Sequence, residues 1–292
     1  MSSTDEVNIV GRRPVQMTPP GSGVLVTGAS SGIGLDACRE LAAHGLRVFG
    51  SVRRAEDGAV VLASGATPVL LEVTDRASIR AARDQISMLL GATPLAGLVN
   101  NAGISGAGPV ELLDLDEFRR MFEVNTLGAV GVTQEFLPML KEARGRIVNI
   151  SSVSGRFASP FMAPYSASKF ALEAISDCMR HEFHPFGIDV ILIEPGMTRT
   201  PIWGKSARRE LTSVQNTPYE QVLTRMRDHA ASVGDGALPP SRVAAAILHA
   251  LTARRPSTRI LVVGNRLLYT LRTWIPDRLM DRRVARRLWG PA

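Results

Sequence analysis

A tyrosine and a lysine stand four residues apart in the stretch PYSASK, at Tyr165 and Lys169. Residues at this spacing share one face of a helix, and Pro164 suits the first turn of a helix because its missing N–H costs nothing there. A phenol, with a pKa of about 10, is a weak base at neutral pH, and a nearby ammonium favours its ionised form. The pair therefore indicates acid–base chemistry by Tyr165, assisted by Lys169.

The lysine is a rare choice in this chain. Of 34 basic residues only three are lysine, namely Lys141, Lys169 and Lys205. An arginine would supply the same charge, but a compact ammonium can also donate to the neighbouring hydroxyls of a ribose. We therefore expect Lys169 to contact a nucleotide as well as the tyrosine.

A glycine-rich turn, TGASSGIG at 27–34, joins an apolar run (23–28) to a helical pattern (32–45). Glycines in such a turn let the backbone approach a pyrophosphate, whose charge is favoured by the N-terminus of the following helix. The alternative is a turn that simply packs a helix on a strand. Its position between a strand and a helix favours the phosphate-binding interpretation.

The spacing of these glycines, G-x-x-x-G-x-G, resembles that of the short-chain dehydrogenase/reductase family. Five further motifs occur in the family's order, and with the glycine turn they extend the resemblance over residues 23–200. They are NNAG at 100–103, FEVNTLG at 122–128, IVNISSVSG at 147–155, PYSASK at 164–169 and EPGMTRT at 194–200. The segments EAISDCMRHEFHPFGIDVILIEPG and HALTARRPSTRILVVG are similar to the subgroup that contains retinol, hydroxysteroid and 3-hydroxybutyrate dehydrogenases.

The resemblance implies a catalytic tetrad. Tyr165 would be the general acid/base, and Ser152, which precedes it by the family's usual thirteen residues, would hold the same reacting oxygen. Ser151 is the neighbouring alternative, which this interval disfavours. Lys169 would bind the nicotinamide ribose and lower the pKa of Tyr165, and Asn125 would position a water that links Lys169 to solvent.

The resemblance also implies the residues that bind the cofactor. Besides Tyr165 and Lys169, they are Gly28, Ser30, Ser31, Gly32, Ile33, Gly34, Arg53, Glu72, Val73, Asn100, Asn101, Ala102, Gly103, Pro195, Gly196, Thr198 and Thr200.

The end of the second strand indicates which cofactor is preferred. NAD-preferring members usually carry an acidic residue there, whereas Val52 takes that place here and Arg53 follows it. A 2′-phosphate would meet a cation and no carboxylate, which favours NADP(H) over NAD(H). The alternative is that Arg53 and Arg54 form a solvated turn. Ser31 is uncharged where some NADP members carry a cation, and Glu72 replaces the aspartate often found beside the adenine.

The chemistry implied is reversible hydride transfer between a nicotinamide and a carbonyl or alcohol. Apolar residues near the tetrad suggest a hydrophobic substrate of steroid, retinoid or acyl-chain type, although they could equally belong to the core. The candidates are Ser154, Phe157, Phe161, Met162, Met197 and Trp203, with a lid at about 201–238.

Alternating elements must position these residues. Seven apolar runs (23–28, 47–52, 67–73, 95–100, 145–151, 188–194 and 259–264) alternate with helical patterns (32–45, 77–90, 116–140, 165–184 and 241–253). Strands that are apolar throughout predict a parallel sheet covered on both faces. We expect a single α/β Rossmann-fold domain at 23–265, with a doubly wound sheet that binds ligands at the carboxyl ends of its strands.

Composition and charge set the remaining expectations. The chain has 292 residues, 45% hydrophobic and 21% charged, typical of a soluble globular protein. Residues 1–22 are polar and rich in glycine and proline, which predicts a flexible lead-in without a secretory signal. The cysteines, Cys38 and Cys178, fall in helical patterns and are expected to be buried thiols. We expect a cytoplasmic protein without a metal site, because its five histidines show no ligand spacing.

The basic charge is concentrated at the C-terminus. The chain carries +7, while residues 253–292 hold ten arginines and two aspartates, a net of +8. In the tail at 266–292, Met280, Val284 and Leu288 recur every four residues among the arginines. This amphipathic pattern predicts docking on the protein's own body, on a second subunit of a homo-oligomer (dimer or tetramer), or on an anionic membrane surface.

Two other classes of function compete with the enzyme interpretation. A dinucleotide-sensing regulator could keep the fold without catalysis, but it need not keep all four tetrad residues. Nucleic-acid binding through the arginine tail is disfavoured, because no aromatic residues interleave with a basic patch and no recognition motif accompanies the charge.

Overall fold

Seven short apolar runs form one parallel sheet in the computed structural model, which describes residues 18–202, 214–225, 237–272 and 275–290. The strands are β1 (Gly23–Val26), β2 (Arg47–Val52), β3 (Thr67–Leu70), β4 (Leu95–Asn100), β5 (Arg146–Ile150), β6 (Asp189–Pro195) and β7 (Arg259–Val262). Their order across the sheet is β3-β2-β1-β4-β5-β6-β7. The order reverses direction between β1 and β4, which confirms the predicted doubly wound Rossmann fold.

The described helices cover both faces of this sheet. They are α1 (Gly32–Ala43), α2 (Gly58–Ala63), α3 (Arg76–Leu90), α4 (Leu115–Phe122), α5 (Gly128–Ala143), α6 (Ala163–Phe183), α7 (Pro240–Thr252), α8 (Arg266–Arg272) and α9 (Asp277–Trp289). The short helix α2 was not predicted.

Each face of the sheet carries its own apolar core. On one face α1 and α7 pack through buried residues such as Leu41 and Ile247. On the other face α3, α5 and α6 contribute Ile79, Phe136 and Met179. The strands are therefore buried on both sides, as their continuous apolar sequences predicted.

One predicted helix is interrupted. The pattern at 116–140 forms α4 and α5 joined without a loop by a π-helical turn at Glu123–Leu127. π-Turns inside helices are rare and often lie at functional sites, because they shift the direction of one side chain. This turn contains Asn125, one of the predicted tetrad residues.

Two details differ from the sequence-based expectations. Residues 18–22, assigned to the flexible lead-in, are packed on the body: Thr18 is buried and its N–H donates to the Leu251 carbonyl at 3.1 Å. Residues 1–17 lie outside the described part of the chain. Cys38 is buried as expected, but Cys178 is exposed, because its position on α6 faces away from the sheet.

Candidate active site

Helix α6 presents Tyr165 and Lys169 in its first two turns, and both side chains are buried, with 6% and 5% exposed. The Lys169 Nζ donates to the Ile150 carbonyl at the end of β5, at 2.8 Å. The same Nζ lies 5.9 Å from the centroid of the Tyr165 ring. The helical spacing in the sequence thus brings the two groups together beside the carboxyl end of β5.

Ser152 completes the contact with the tyrosine. It follows β5, and its side chain hydrogen-bonds the Tyr165 hydroxyl while also accepting from the Ser154 N–H at 3.1 Å. By contrast, the Ser151 Oγ is buried without a hydrogen-bond partner among the described residues, and it lies against Gly155. Of the two serines, Ser152 is therefore the one that contacts the Tyr165 hydroxyl.

Asn125 joins the site through the π-turn. Its Oδ1 accepts from the Ile104 N–H at 2.8 Å, and its Nδ2 donates to the Ile104 carbonyl at 2.9 Å and to the Ser168 Oγ at 3.0 Å. A Cβ on Gly103 would lie 3.3 Å from the Asn125 Oδ1 and 3.8 Å from the Lys169 Nζ. Asn125 and Lys169 therefore both lie next to Gly103. A larger side chain at position 103 would have little room between them.

Burial sets the ionisation of the two central groups. It raises the pKa of Tyr165, and the hydrogen bond to Ser152 offsets this only in part. It lowers the pKa of Lys169 to about 8, against an opposing effect of Glu173. The net shift of the Tyr165 pKa in this structure is therefore upward, opposite to the lowering expected from Lys169. At neutral pH Tyr165 therefore carries its proton, and Lys169 its charge.

The glycine turn between β1 and α1 forms a cradle that side chains would fill. Gly28 has φ +67°, and a Cβ there would lie 2.8 Å from the Ala102 Cα. A Cβ on Gly34 would lie 2.5 Å from the Asn101 Nδ2. Helix α1 begins at Gly32, so its first N–H groups face this cradle. The turn fits the pyrophosphate of a dinucleotide, by close backbone approach and by the helix N-terminus.

Asn101 supports this turn from β4. Its Nδ2 donates to the Thr27 carbonyl at 2.8 Å and to the Gly28 carbonyl at 3.1 Å. In return, the Thr27 hydroxyl accepts from the N–H groups of Asn101 at 2.9 Å and Ala102 at 3.0 Å. Thr27 was missed by the sequence analysis, although it immediately precedes the first glycine.

Asn100 lies deeper in the protein. Its Nδ2 donates to the Thr133 hydroxyl at 3.0 Å and to the Asn149 Oδ1 at 2.9 Å. The side chain therefore connects the end of β4 to α5 and β5 within the core.

The two arginines after β2 differ in their surroundings. Arg54 hydrogen-bonds Asp57 through Nε and Nη2, both at 3.3 Å. Arg53 is exposed and has no ion pair with any described residue. The guanidinium of Arg53 is therefore available to bind an anion at the end of β2, whereas the charge of Arg54 is already paired with Asp57.

Glu72 and Val73 follow β3 with different orientations. The Glu72 Oε1 accepts from the N–H of Thr74 at 3.2 Å and from its hydroxyl at 3.1 Å. Val73 is buried, and a Cβ on Gly128 would lie 2.8 Å from its Cγ2. The carboxylate of Glu72 is thus engaged within its own turn.

The remaining predicted cofactor residues lie after β6 and within the glycine turn. Thr198 is buried and donates to the Gly196 carbonyl at 3.0 Å, just beyond Pro195 at the end of β6. A Cβ on Gly32 would lie 3.1 Å from the Thr200 Cγ2, so Thr200 faces the glycine turn. Within the turn Ser31 is exposed, and two neighbouring positions are partly exposed: Ser30 and Ile33.

Aromatic contacts close the predicted substrate region. Phe161 packs edge-on against Tyr219 with ring centroids 6.0 Å apart, and Tyr219 packs against Trp289 at 6.2 Å. The Tyr219 hydroxyl hydrogen-bonds Glu111 at 2.7 Å. These contacts tie the lid segment at 214–225 to the loop before α6 and to α9.

The predicted substrate residues do not all share one surface. Met162 is half-buried beside Phe161, and Met197 is exposed after β6. Phe157 instead lines a cleft of about 640 Å³ that α9 forms with the body. Trp203 and the lid residues 203–213 and 226–236 lie outside the described part of the chain.

The C-terminal tail contacts the rest of the chain through α9. Met280, Val284 and Leu288 are half-buried, and the Leu288 carbonyl accepts from the Arg225 Nη2 at 3.2 Å. Three other leucines of the tail are exposed by 45–67%: Leu267, Leu271 and Leu279. Among the described residues, no helix has both the length and the apolarity needed to cross a membrane.

A dinucleotide cradle at the switch point of the sheet, with a buried Tyr–Lys–Ser group beside it, defines a nicotinamide-dependent oxidoreductase. The profile of the short chain dehydrogenase family matches residues 22–211. The chain belongs to this family, whose members act on CH–OH groups.

Similar proteins support the predicted subgroup. The chain is 36% identical over 267 residues to an NADPH-dependent 3-dehydrocapnine reductase of Ornithobacterium rhinotracheale, covering 88% of this chain and 94% of the relative. It is 37% identical to human retinol dehydrogenase 5, covering 88% and 86% of the two chains. It is 37% identical to the mitochondrial D-beta-hydroxybutyrate dehydrogenase of Bos taurus, covering 86% and 80%.

A solved structure agrees with the fold. A variant of the actinorhodin polyketide ketoreductase, solved with NADPH, aligns with a TM-score of 0.71 at 31% identity, covering 83% of this chain and 95% of that chain.

Proposed function

We propose that the protein is an NADP(H)-preferring oxidoreductase that interconverts a hydrophobic carbonyl compound and its alcohol, with Tyr165 as general acid/base. The observation that carries this proposal is the hydrogen-bonded contact of Tyr165 with Ser152, beside a buried Lys169. When bound, the nicotinamide supplies or accepts the hydride.

In the reducing direction, the buried phenol of Tyr165 donates its proton to the carbonyl oxygen as negative charge develops there. Ser152 donates a hydrogen bond to the same oxygen and so stabilises that charge. Lys169, charged at neutral pH, stabilises the phenolate left on Tyr165 and binds the ribose. In the oxidising direction Tyr165 accepts the proton back.

Asn125 would hold the water through which a proton reaches Lys169 from solvent. Its amide is fixed to the Ile104 backbone and to Ser168. Because these bonds keep the π-turn in place, Asn125 stays aligned with Lys169.

A substrate screen tests this proposal. Purified protein is incubated with NADPH or NADH and with ketones and aldehydes of increasing apolar size, and the absorbance of the reduced cofactor is followed. We expect kcat/KM to increase with the apolar surface of the carbonyl compound. Equal rates for small polar and large apolar carbonyls would contradict a hydrophobic substrate.

The preference for NADP(H) is supported by the exposed Arg53 at the end of β2, by the NADPH-dependent reductase relative, and by the neighbour solved with NADPH. Arg53→Asp is expected to lower the ratio of kcat/KM for NADPH over NADH by about 10- to 100-fold, because a carboxylate repels the 2′-phosphate and can accept from a 2′-hydroxyl.

Arg54→Gln is the matched control for this prediction. It changes the neighbouring guanidinium, which Asp57 already compensates, and should leave the cofactor ratio within about twofold of wild type. If Arg53→Asp changes the ratio no more than Arg54→Gln does, Arg53 does not contact the cofactor.

For the tail, we propose peripheral contact with an anionic, cytoplasmic membrane surface, with the half-buried stripe of α9 docked on the body of a homo-oligomer. The exposed leucines of the tail, together with the net charge of +8 on residues 253–292, form a basic apolar surface suited to such lipids. This arrangement would give the enzyme access to apolar substrates dissolved in lipid.

Co-sedimentation with phosphatidylserine vesicles tests this surface, using the full chain and a variant ending at Asn265. The full chain should sediment at low salt and be released at high salt, since screening weakens the basic contribution. A full chain that stays in the supernatant at low salt contradicts membrane contact. Light scattering of both proteins tests whether the tail also supports a dimer or tetramer.

A further inference from the structure

Two buried carboxylates lie next to the tetrad and take no part in the reaction described above. Glu173 follows Lys169 by four residues on α6 and is 7% exposed, and Glu194 on β6 is 1% exposed. Arg259 on β7 contacts both, with its Nε 3.1 Å from the Glu173 Oε2 and 3.5 Å from the Glu194 Oε1. Buried acids are costly unless they are paired, so this cluster requires an explanation.

Glu173 lies directly behind Lys169. Side chains of a helix tilt towards its N-terminus, so a residue at position i+4 covers the turn that carries residue i. A Cβ on Gly155 would lie 3.1 Å from the Glu173 Cγ and also 3.1 Å from the Lys169 carbonyl oxygen. Tyr165, Lys169 and Glu173 thus occupy three successive turns on one buried face of α6.

The charge of Glu173 is only partly compensated by Arg259. Its Oε2 is paired, but its Oε1 is buried without a hydrogen-bond partner among the described residues. Arg259 is shared, since its Nη2 also contacts the Asp177 Oδ2 at 2.7 Å. Glu173 therefore keeps negative charge that can act on Lys169.

The other charged groups around Lys169 belong to the neighbouring elements. Glu194 faces the cluster from β6 and is paired at 3.5 Å with Arg156, which is half exposed. Burial and the adjacent Glu173 both raise the pKa of Glu194. Two acids of α9 line the opening of the same cleft, Asp277 and Asp281.

We propose that Glu173 is a positioning residue, whose buried carboxylate on the next turn of α6 keeps Lys169 protonated for its contact with Tyr165. This role rests on the proposed functions of Tyr165 and Lys169. Burial lowers the pKa of Lys169 to about 8, and Glu173 opposes that effect. The ammonium is thus present at lower pH and is lost as the pH increases through about 8, so removing Glu173 moves that loss to lower pH.

The small number of lysines allows a direct test that needs no turnover. With ¹³C-labelled lysine, the full chain gives side-chain NMR signals from only three residues, assigned with Lys141→Arg and Lys205→Arg. We expect the Lys169 signal to titrate with a midpoint near 8 in the wild type, and about one pH unit lower in Glu173→Gln. Asp177→Asn, which removes another partner of Arg259, is the control and should leave the midpoint within about 0.3 pH unit of wild type.

A second variant keeps the test decisive if Glu173→Gln does not fold. Arg259→Gln removes the cation that pairs with Glu173, so the midpoint of the Lys169 titration should increase instead.

In kinetics, Glu173→Gln should lower kcat/KM several-fold at pH 8 and little at pH 6, whereas lost packing alone would lower it equally at every pH. An unchanged Lys169 midpoint in both variants overturns this role of Glu173. A wild type with the expected midpoint but no oxidoreductase activity contradicts the proposed function instead.

Discussion

Tyr165→Phe is expected to lower kcat by about 10²- to 10⁴-fold, the usual contribution of a positioned general acid. The substitution removes the hydroxyl that bonds Ser152 but keeps a ring of nearly the same volume in the buried site. The glycine turn and Lys169 are untouched, so the dissociation constant for NADPH should change by less than about threefold. Stopped-flow kinetics and NADPH fluorescence measure the two quantities separately.

Tyr269→Phe is the matched control, because it removes a phenol outside the tetrad. It should retain a rate close to that of the wild type. A Tyr165→Phe protein that keeps more than about a tenth of the wild-type rate would exclude Tyr165 from the role of proton donor.

The second large effect concerns stability. Arg146, the first residue of β5, is fully buried, and its Nη1 donates to three carbonyls at the end of α7: Ala250 and Leu251 at 2.9 Å and Ala253 at 2.7 Å. Helix ends leave such carbonyls without partners within the helix. Burial lowers the pKa of Arg146, and Asp189, 3.8 Å away, offsets this in part.

Arg146→Met fills a similar volume but leaves these buried carbonyls unpaired. We expect the free energy of unfolding in urea to decrease by about 3–5 kcal/mol. The control is Arg47→Met: Arg47 begins β2 and donates to the Leu89 carbonyl near the end of α3 at 2.8 Å, but it is exposed. That variant should lose about 1 kcal/mol or less. Equal decreases in the free energy of unfolding for the two variants would show that the burial of Arg146 contributes nothing to stability.

Local motifs made much of the fold and site predictable. The strands are continuous apolar runs, and Tyr165 and Lys169 are brought together by helix geometry alone, so neither depends on distant residues. The glycine turn is equally local, because Gly28, Gly32 and Gly34 act through backbone space within one strand–turn–helix unit.

Features that depend on distant contacts were not predictable. The apolar pattern across 116–140 is continuous, so nothing in it indicated the π-turn that redirects Asn125. The charge of Arg146 gave no sign of burial, since its three acceptors come from residues more than a hundred positions away. The effect of burial on Tyr165 likewise depends on the surrounding fold, and it raises the pKa of this phenol where a lowering was expected from Lys169.

Asn100 and Asn101 show a similar limit. The motif NNAG placed both next to the cofactor, but it could not indicate what their amides contact. In the structure Asn101 bonds the glycine turn and Asn100 bonds the core. Their partners in the glycine turn, on α5 and on β5 are far apart in sequence, so only the assembled sheet defines these contacts.

Deuterium transfer from the cofactor is the decisive experiment for hydride transfer with Tyr165 as the proton donor. NADPH carrying deuterium at the transferable C4 position is mixed with the carbonyl compound selected by the substrate screen, using wild type and Tyr165→Phe. Mass spectrometry then follows the label in the product alcohol. For the wild type we expect deuterium at the carbinol carbon of the product alcohol. For Tyr165→Phe we expect this labelled alcohol to form about 10²-fold more slowly, or slower still. A wild-type protein that binds NADPH yet transfers no deuterium to any carbonyl compound would contradict the account and identify a dinucleotide sensor instead.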